Sequence, residues 1–178
     1  MTDNSLALSN YAYNSSTELP TGYTLDSELS NDKVKVALDS QGTPHIAFRG
    51  TKTIEDVFPD FDIALGLRSH QRFRDAVDLA KRVESKHGKE AVVTGHSLGG
   101  NLAQHVSESL GGRRGKVFNP GKSLFGNPSE STQKLVVERH PLDPVSSGIK
   151  LDTGNLRMSI VSNLAKLAMF HGLDNFRK

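Results

Sequence analysis

Polar and apolar residues alternate through "KVKVAL", residues 33–38; "SQGTP" follows with turn-forming residues, and "HIAFRG" resumes an apolar alternation, which together predict a β-hairpin. The period then changes. From Arg68 to His87, Phe73, Ala76, Val77, Ala80 and Val83 recur at helical spacing, and Gly88 stands where a C-terminal cap belongs. The apolar run "AVVT" predicts a strand, and Leu98, Leu102, Val106 and Leu110 mark one face of a second helix. "GKVFNP" and "KLVVER" predict two more buried strands on either side of a Gly/Pro/Ser-rich segment. Before the hairpin, Leu6, Leu8, Tyr11 and Tyr13 suit a short N-terminal helix, and "SSTELPTGYTLDSELSND" reads as a polar surface connection. In the tail, "NLRMSIV" suits a strand and "SNLAKLAMFHGLDNF" a short helix and turn. Strands alternating with helices are the grammar of an α/β fold with a mostly parallel central sheet flanked by helices.

Composition narrows the class. A length of 178 residues suits a single domain spanning 1–178, and 35% hydrophobic against 24% charged residues places the chain in the globular range. A net charge of +2, from basic residues scattered among acidic ones, argues against nucleic acid as a partner. The sequence has no cysteine, which excludes disulfides and thiolate chemistry, and the histidines have no metal-ligand spacing, so neither metal nor cofactor is expected. The first residues lack a basic n-region, and no apolar run reaches membrane-spanning length. The expectation is a soluble protein, cytoplasmic or released by a route without a signal peptide.

The chemistry concentrates in Gly95-His96-Ser97-Leu98-Gly99, between the "AVVT" strand and the following helix. A serine on a sharp strand-to-helix turn projects its hydroxyl above the sheet. Residues two before and two after it must be nearly free of side chain for strand and helix to approach, a need that Gly95 and Gly99 meet. The N–H of Leu98, at the start of the helix, would face a carbonyl oxygen as it turns negative. His96 is a poor base for its neighbour, because adjacent residues on such a turn point apart.

A serine nucleophile needs an imidazole, and the imidazole needs a carboxylate. On a strand-turn-helix nucleophile the chain order is serine, acid, histidine. His105 lies too far along the helix, at about 1.5 Å per residue, to reach back to Ser97. His171 is the strongest choice and His140 a lesser one. Among the acids, Asp143 follows "KLVVERHPL" at a strand's C-terminal end between Pro141 and Pro144, whereas Asp152 resembles an ordinary turn aspartate.

"IAFRGTKTIEDVFPDFDIALG", "VVTGHSLGGNLA", "VFNPG", "LDPVS" and "HGLDNF" stand in an order and at a spacing that resemble the class 3 lipases, the fungal-lipase-like branch of the α/β-hydrolases. The resemblance implies Ser97 as nucleophile, Asp143 as acid and His171 as base. It further implies Thr51 as the second oxyanion donor beside Leu98, and Asp60 as the residue that holds the Thr51 hydroxyl. Residues 52–69 take the place of a lid: a short amphipathic flap or a surface helix.

"GKVFNPGKS" does not make a phosphate-binding P-loop, because Lys116 stands where the first glycine is required. The expected function is hydrolysis of a carboxylic ester, of a lipid or another ester substrate, with transient contact with a membrane surface. A non-catalytic binding protein of the same fold and an acyltransferase using the same triad are the alternatives.

Overall fold

The computed structural model describes residues 4–15, 17–50, 69–120, 134–140, 172 and 176. Among them are three helices, α1 (Ser5–Tyr13), α2 (Ser69–His87) and α3 (Leu98–Ser109), and six strands. The strands are β1 (Thr24–Leu25), β2 (Val34–Leu38), β3 (Pro44–Phe48), β4 (Val92–His96), β5 (Gly115–Phe118) and β6 (Leu135–Glu138). They form one sheet in the order β1-β2-β3-β4-β5-β6. The pairs β1–β2 and β2–β3 are antiparallel, the latter in register from Val34↔Phe48 to Leu38↔Pro44, whereas β3–β4, β4–β5 and β5–β6 are parallel. The chain is therefore α/β with a mostly parallel sheet.

A strand order that follows the chain, joined by right-handed crossovers, puts consecutive crossover helices on one face. Here α2 links β3 to β4 and α3 links β4 to β5. Both cover the face formed by Val34, Val36, Ile46, Phe48, Val93 and Val117, with Phe73, Ala80 and Val83 of α2 and Leu102, Ala103 and Val106 of α3 in the same buried cluster. The opposite face is shallower. There Leu8 and Ala12 of α1 pack on Ala37 and Ala47, the small alternate residues of β2 and β3.

Most of the sequence pattern is realised. The hairpin forms, β4 and β5 occupy their segments, and Gly88 ends α2 at φ +65° with its N–H donated to the Glu84 carbonyl. Leu79 joins the predicted α2 face, Val77 is only half-buried, and Leu98 and Leu110 lie at the margin of the α3 face. Two expectations need correction. The polar connection after α1 contains β1, held by two register pairs to β2. The segment "KLVVER" is not a buried strand: β6 pairs only with β5 among the described residues, and Val136 is 56% exposed. An apolar run carries no sign of whether a strand will be flanked on both sides. The segments "NLRMSIV" and "SNLAKLAMFHGLDNF", apart from Gly172 and Phe176, and the lid stretch 52–69 before Ser69 lie outside the described residues.

Buried polar ties fix the packing. Glu84 receives Arg113 Nε at 2.6 Å on one oxygen and Nη2 at 3.0 Å on the other, and its first oxygen also accepts the Ala91 N–H at 3.0 Å. One carboxylate thus joins α2, the entry to β4 and the exit from α3. Asp26 plays a similar part between the N-terminal connection and the end of α2. It accepts from Lys86 at 2.9 Å, from the Glu28 and Leu29 N–H groups, and lies 2.9 Å from His87 Nε2. Desolvation alone would raise its pKa, but Lys86, His87 and the Leu29 N–H together hold it below the usual carboxylate value.

A depressed carboxylate pKa contributes stability that is complete above the unfolded value, about 4, and that is lost as pH falls through the folded value. We expect Asp26→Asn to cost about 2 kcal/mol at pH 7, the usual scale for losing hydrogen bonds to a charged group. The gap between wild type and variant should shrink as pH drops below about 4, read by thermal or urea melts across that range.

Candidate active site

Ser97 follows the last residue of β4 and precedes the first of α3. The register Phe48↔Gly95 and His96↔Phe118 sets it between the C-terminal ends of β3 and β5, the edge where open parallel sheets collect functional groups. Its backbone has φ +56° and ψ −128°, a conformation that L side chains rarely adopt. Besides Asn119, it is the only non-glycine residue with positive φ among those described. The turn is pinned on both sides: the Ser97 N–H donates to the Phe118 carbonyl at 3.1 Å, and the Ser97 carbonyl accepts the Asn101 N–H at 3.1 Å. That second bond is the first rung of the α3 ladder. The N–H groups of Leu98, Gly99 and Gly100 therefore precede the ladder, as in any first helical turn.

The glycines explain how so tight a turn fits. A Cβ at Gly95 would overlap the Gly99 backbone, and a Cβ at Gly99 would overlap the Phe48 carbonyl. Gly50, just beyond β3, is equally confined: a Cβ there would meet the Tyr13 hydroxyl, the His96 carbonyl oxygen at 2.7 Å and Ser97 Cβ at 3.3 Å. Helix α3 can begin directly against β3 and β4 only because these positions have no side chains. The glycine of "FRG" belongs to the same set, a role that its place at a strand end could have suggested.

Polar groups tie the segments on either side of the Ser97 turn. His96 is buried and faces α1, its Nδ1 lying 3.0 Å from Tyr13 Oη. Arg72 of α2 donates to the Arg49 carbonyl at 2.5 Å, which ties α2 to the residue after β3. Burial, and then the positive charge of Arg49, lower the Arg72 pKa from its ordinary value. On the other flank, the Asn119 N–H donates to the Glu138 carbonyl at 2.8 Å and its Oδ1 accepts the His140 N–H at 2.7 Å. The chain leaving β6 is thereby fastened beside the end of β5, at the same edge as Ser97.

The sequence-derived candidates divide accordingly. Ser97, Leu98, Gly95 and Gly99 come together at the turn. His105 stands on α3 with its ring edge-on to Phe73 of α2, centroids 5.1 Å apart, in the helix–helix contact. Thr51, Asp60, Asp143 and His171 lie outside the described residues. No group of three or more His, Asp or Glu residues arranged to hold a metal ion occurs among the described residues.

Residues 33–122, half of the chain, match a phospholipase-like family, described as the Tle-like phospholipase domain. The chain belongs to this family. The matched segment runs from the hairpin through β5 and contains the whole Ser97 turn. No curated protein matches the chain. Membership makes the protein phospholipase-like, with a lipid as its substrate class. Among the described residues, no helix is long and apolar enough to cross a membrane.

The Ser97 backbone supplies a direct test of the strain. A residue held in so sparsely populated a conformation costs on the order of 1–3 kcal/mol, of which glycine would be relieved, less about 0.5–1 kcal/mol for its greater unfolded-state freedom. Ser97→Gly should therefore be about 1 kcal/mol more stable than Ser97→Ala in urea melts.

Proposed function

We propose that the protein is a serine hydrolase of the α/β-hydrolase type that cleaves carboxylic esters of lipids, phospholipids foremost, through an acyl-enzyme. The observation that carries this reading is the strained Ser97, held at the C-terminal end of β4 and leading straight into α3. Strain of this kind persists only where the surroundings over-determine it, and it collects at reactive groups. Family membership supplies the substrate class, and the resemblance to class 3 lipases supplies the partners of the serine.

In this reading Ser97 Oγ attacks the ester carbonyl while His171 takes its proton, and Asp143 orients the imidazole and stabilises its cation. The carbonyl oxygen becomes an oxyanion that accepts from the N–H groups of Leu98 and Thr51, with Asp60 holding the Thr51 hydroxyl. Collapse of the tetrahedral intermediate breaks the ester C–O bond. The alcohol departs with the proton from His171, and water then releases the fatty acid by the reverse sequence of proton transfers. The position of Leu98 ahead of the α3 ladder supports its part as a donor. For Asp143, support comes from β6, which runs parallel to β5 and ends at the elbow's edge. Arg49, which follows β3, and Arg72, which donates to its carbonyl, would suit a substrate that carries phosphate.

Ser97→Ala should lower hydrolysis of a short-chain nitrophenyl ester and of phospholipid vesicles by about ten-thousand-fold or more while the melting temperature holds. A fluorophosphonate probe should label the wild type at Ser97 and nowhere in the variant. Undiminished hydrolysis by Ser97→Ala would refute the assignment.

A further inference from the structure

We infer that Tyr13 of α1 is a positioning residue for this hydrolysis, one that locks the peptide leading into the oxyanion strand end to the nucleophile turn. The inference rests on the reading of Ser97 as nucleophile with oxyanion donors on the two segments that Tyr13 joins. Tyr13 Oη accepts the Gly50 N–H at 3.1 Å. Its own proton has two acceptors within reach, His96 Nδ1 at 3.0 Å and the His96 carbonyl oxygen at 3.3 Å. A phenol has one proton to give and lone pairs to receive, so a single oxygen bridges the residue after Arg49 and the residue before Ser97. The bridge is short: the space that a Cβ on Gly50 would need is already bounded by the Tyr13 hydroxyl, the His96 carbonyl and Ser97 Cβ.

The sequence positions that make this bridge are matched in pitch. Ser9 and Tyr13 are one helical turn apart on α1, about 6 Å of rise. Thr94 and His96 are two residues apart on β4, about 6.6 Å, and face the same side. Ser9 Oγ lies 2.9 Å from Thr94 Oγ1, so α1 runs along β4 with a hydroxyl tie at each level. The Thr94 level is structural: its hydroxyl also reaches the Lys116 and Ser5 carbonyls, in the middle of the sheet. The Tyr13 level touches the turn itself. Burial pushes the phenol up to about 12, so it stays protonated and able to donate at any working pH. Where the phenol donates to Nδ1, that nitrogen is an acceptor and the ring proton stands on Nε2. His96 then acts as the acceptor that anchors the bridge, apart from proton transfer at Ser97.

Tyr13 lies outside the family segment 33–122, and nothing in its local sequence announces the contact, which spans 83 positions to His96 and 37 to Gly50. The comparison of Tyr13→Phe with Ser9→Ala separates positioning from support, because both remove one hydroxyl tie between α1 and β4. In steady-state ester hydrolysis, Tyr13→Phe should lower kcat by about tenfold with KM within about twofold, less than the 100- to 1000-fold typical of deleting an oxyanion donor outright. Ser9→Ala should lower the melting temperature but leave kcat at the wild-type value. Equal kcat in Tyr13→Phe and wild type would overturn the inference while leaving the hydrolase reading intact. So would a loss carried by KM, or an equal fall in kcat in both variants. Wild-type protein that neither hydrolyses esters nor labels at Ser97 would overturn the hydrolase reading, and this inference with it.

Discussion

The conformation of Ser97 is the constraint around which the described fold is arranged. At φ +56° and ψ −128° the residue is far from the wells that a serine prefers, and its side chain makes no cap hydrogen bond to the helix it precedes. What holds it is backbone. The Phe118 carbonyl takes its N–H and Asn101 takes its carbonyl, while the Gly99 backbone lies against the Phe48 carbonyl and the Gly95 backbone against Gly99. Each contact depends on the parallel register of β3, β4 and β5. A shift of one residue in that register would remove them together, so sheet pairing and turn geometry are a single condition.

Two clusters of charge pairs secure other parts of the fold. Glu84 and Arg113 secure the entry to β4 at Ala91, the end of the strand remote from Ser97. Asp26, Lys86 and His87 secure the end of α2. Toward the C-terminal edge of the sheet, Lys116 pairs with Glu138 at 2.7 Å, the Ser97 turn itself is held by hydroxyl and backbone hydrogen bonds, and Arg72, whose pKa burial and then Arg49 lower, donates to the Arg49 carbonyl.

How much of this could be read in the chain depends on the range of the interaction. Periodicity exposed the hairpin, both long helices and β4, because those patterns repeat over several residues and one face is buried. The glycines flanking Ser97 were legible too, since a strand-turn-helix of this tightness tolerates little else there. Burial of β6 was not legible: an apolar run is the same string with a strand on one side as with strands on both, and among the described residues β6 pairs only with β5 and Val136 is exposed. β1 escaped notice because two residues carry no period. His96 read as a packing residue, which agrees with its burial, but its partner could not be named. A tyrosine 83 positions away becomes its neighbour only when α1 is laid on β4.

That last contact bears on where the site begins. The segment shared with the phospholipase-like family holds the strained turn, the adjoining end of β3 and the two helices on one face. It leaves the other face of β4 to α1, which lies before it in the chain. Thr94 and His96 project to that face and are nearly inaccessible there, which polar side chains sustain only when their hydrogen bonds are met. Ser9 and Tyr13 meet them. Without α1 the shared segment would lose the Ser9 and Tyr13 hydroxyls from this face of β4 and would uncover Ala37 of β2 and Ala47 of β3. Water would then compete for the Gly50 N–H and for His96, the two groups that Tyr13 now joins. The strain at Ser97 can be encoded in a few adjacent glycines, but the alignment of the strand end opposite it needs a helix from a distant part of the chain.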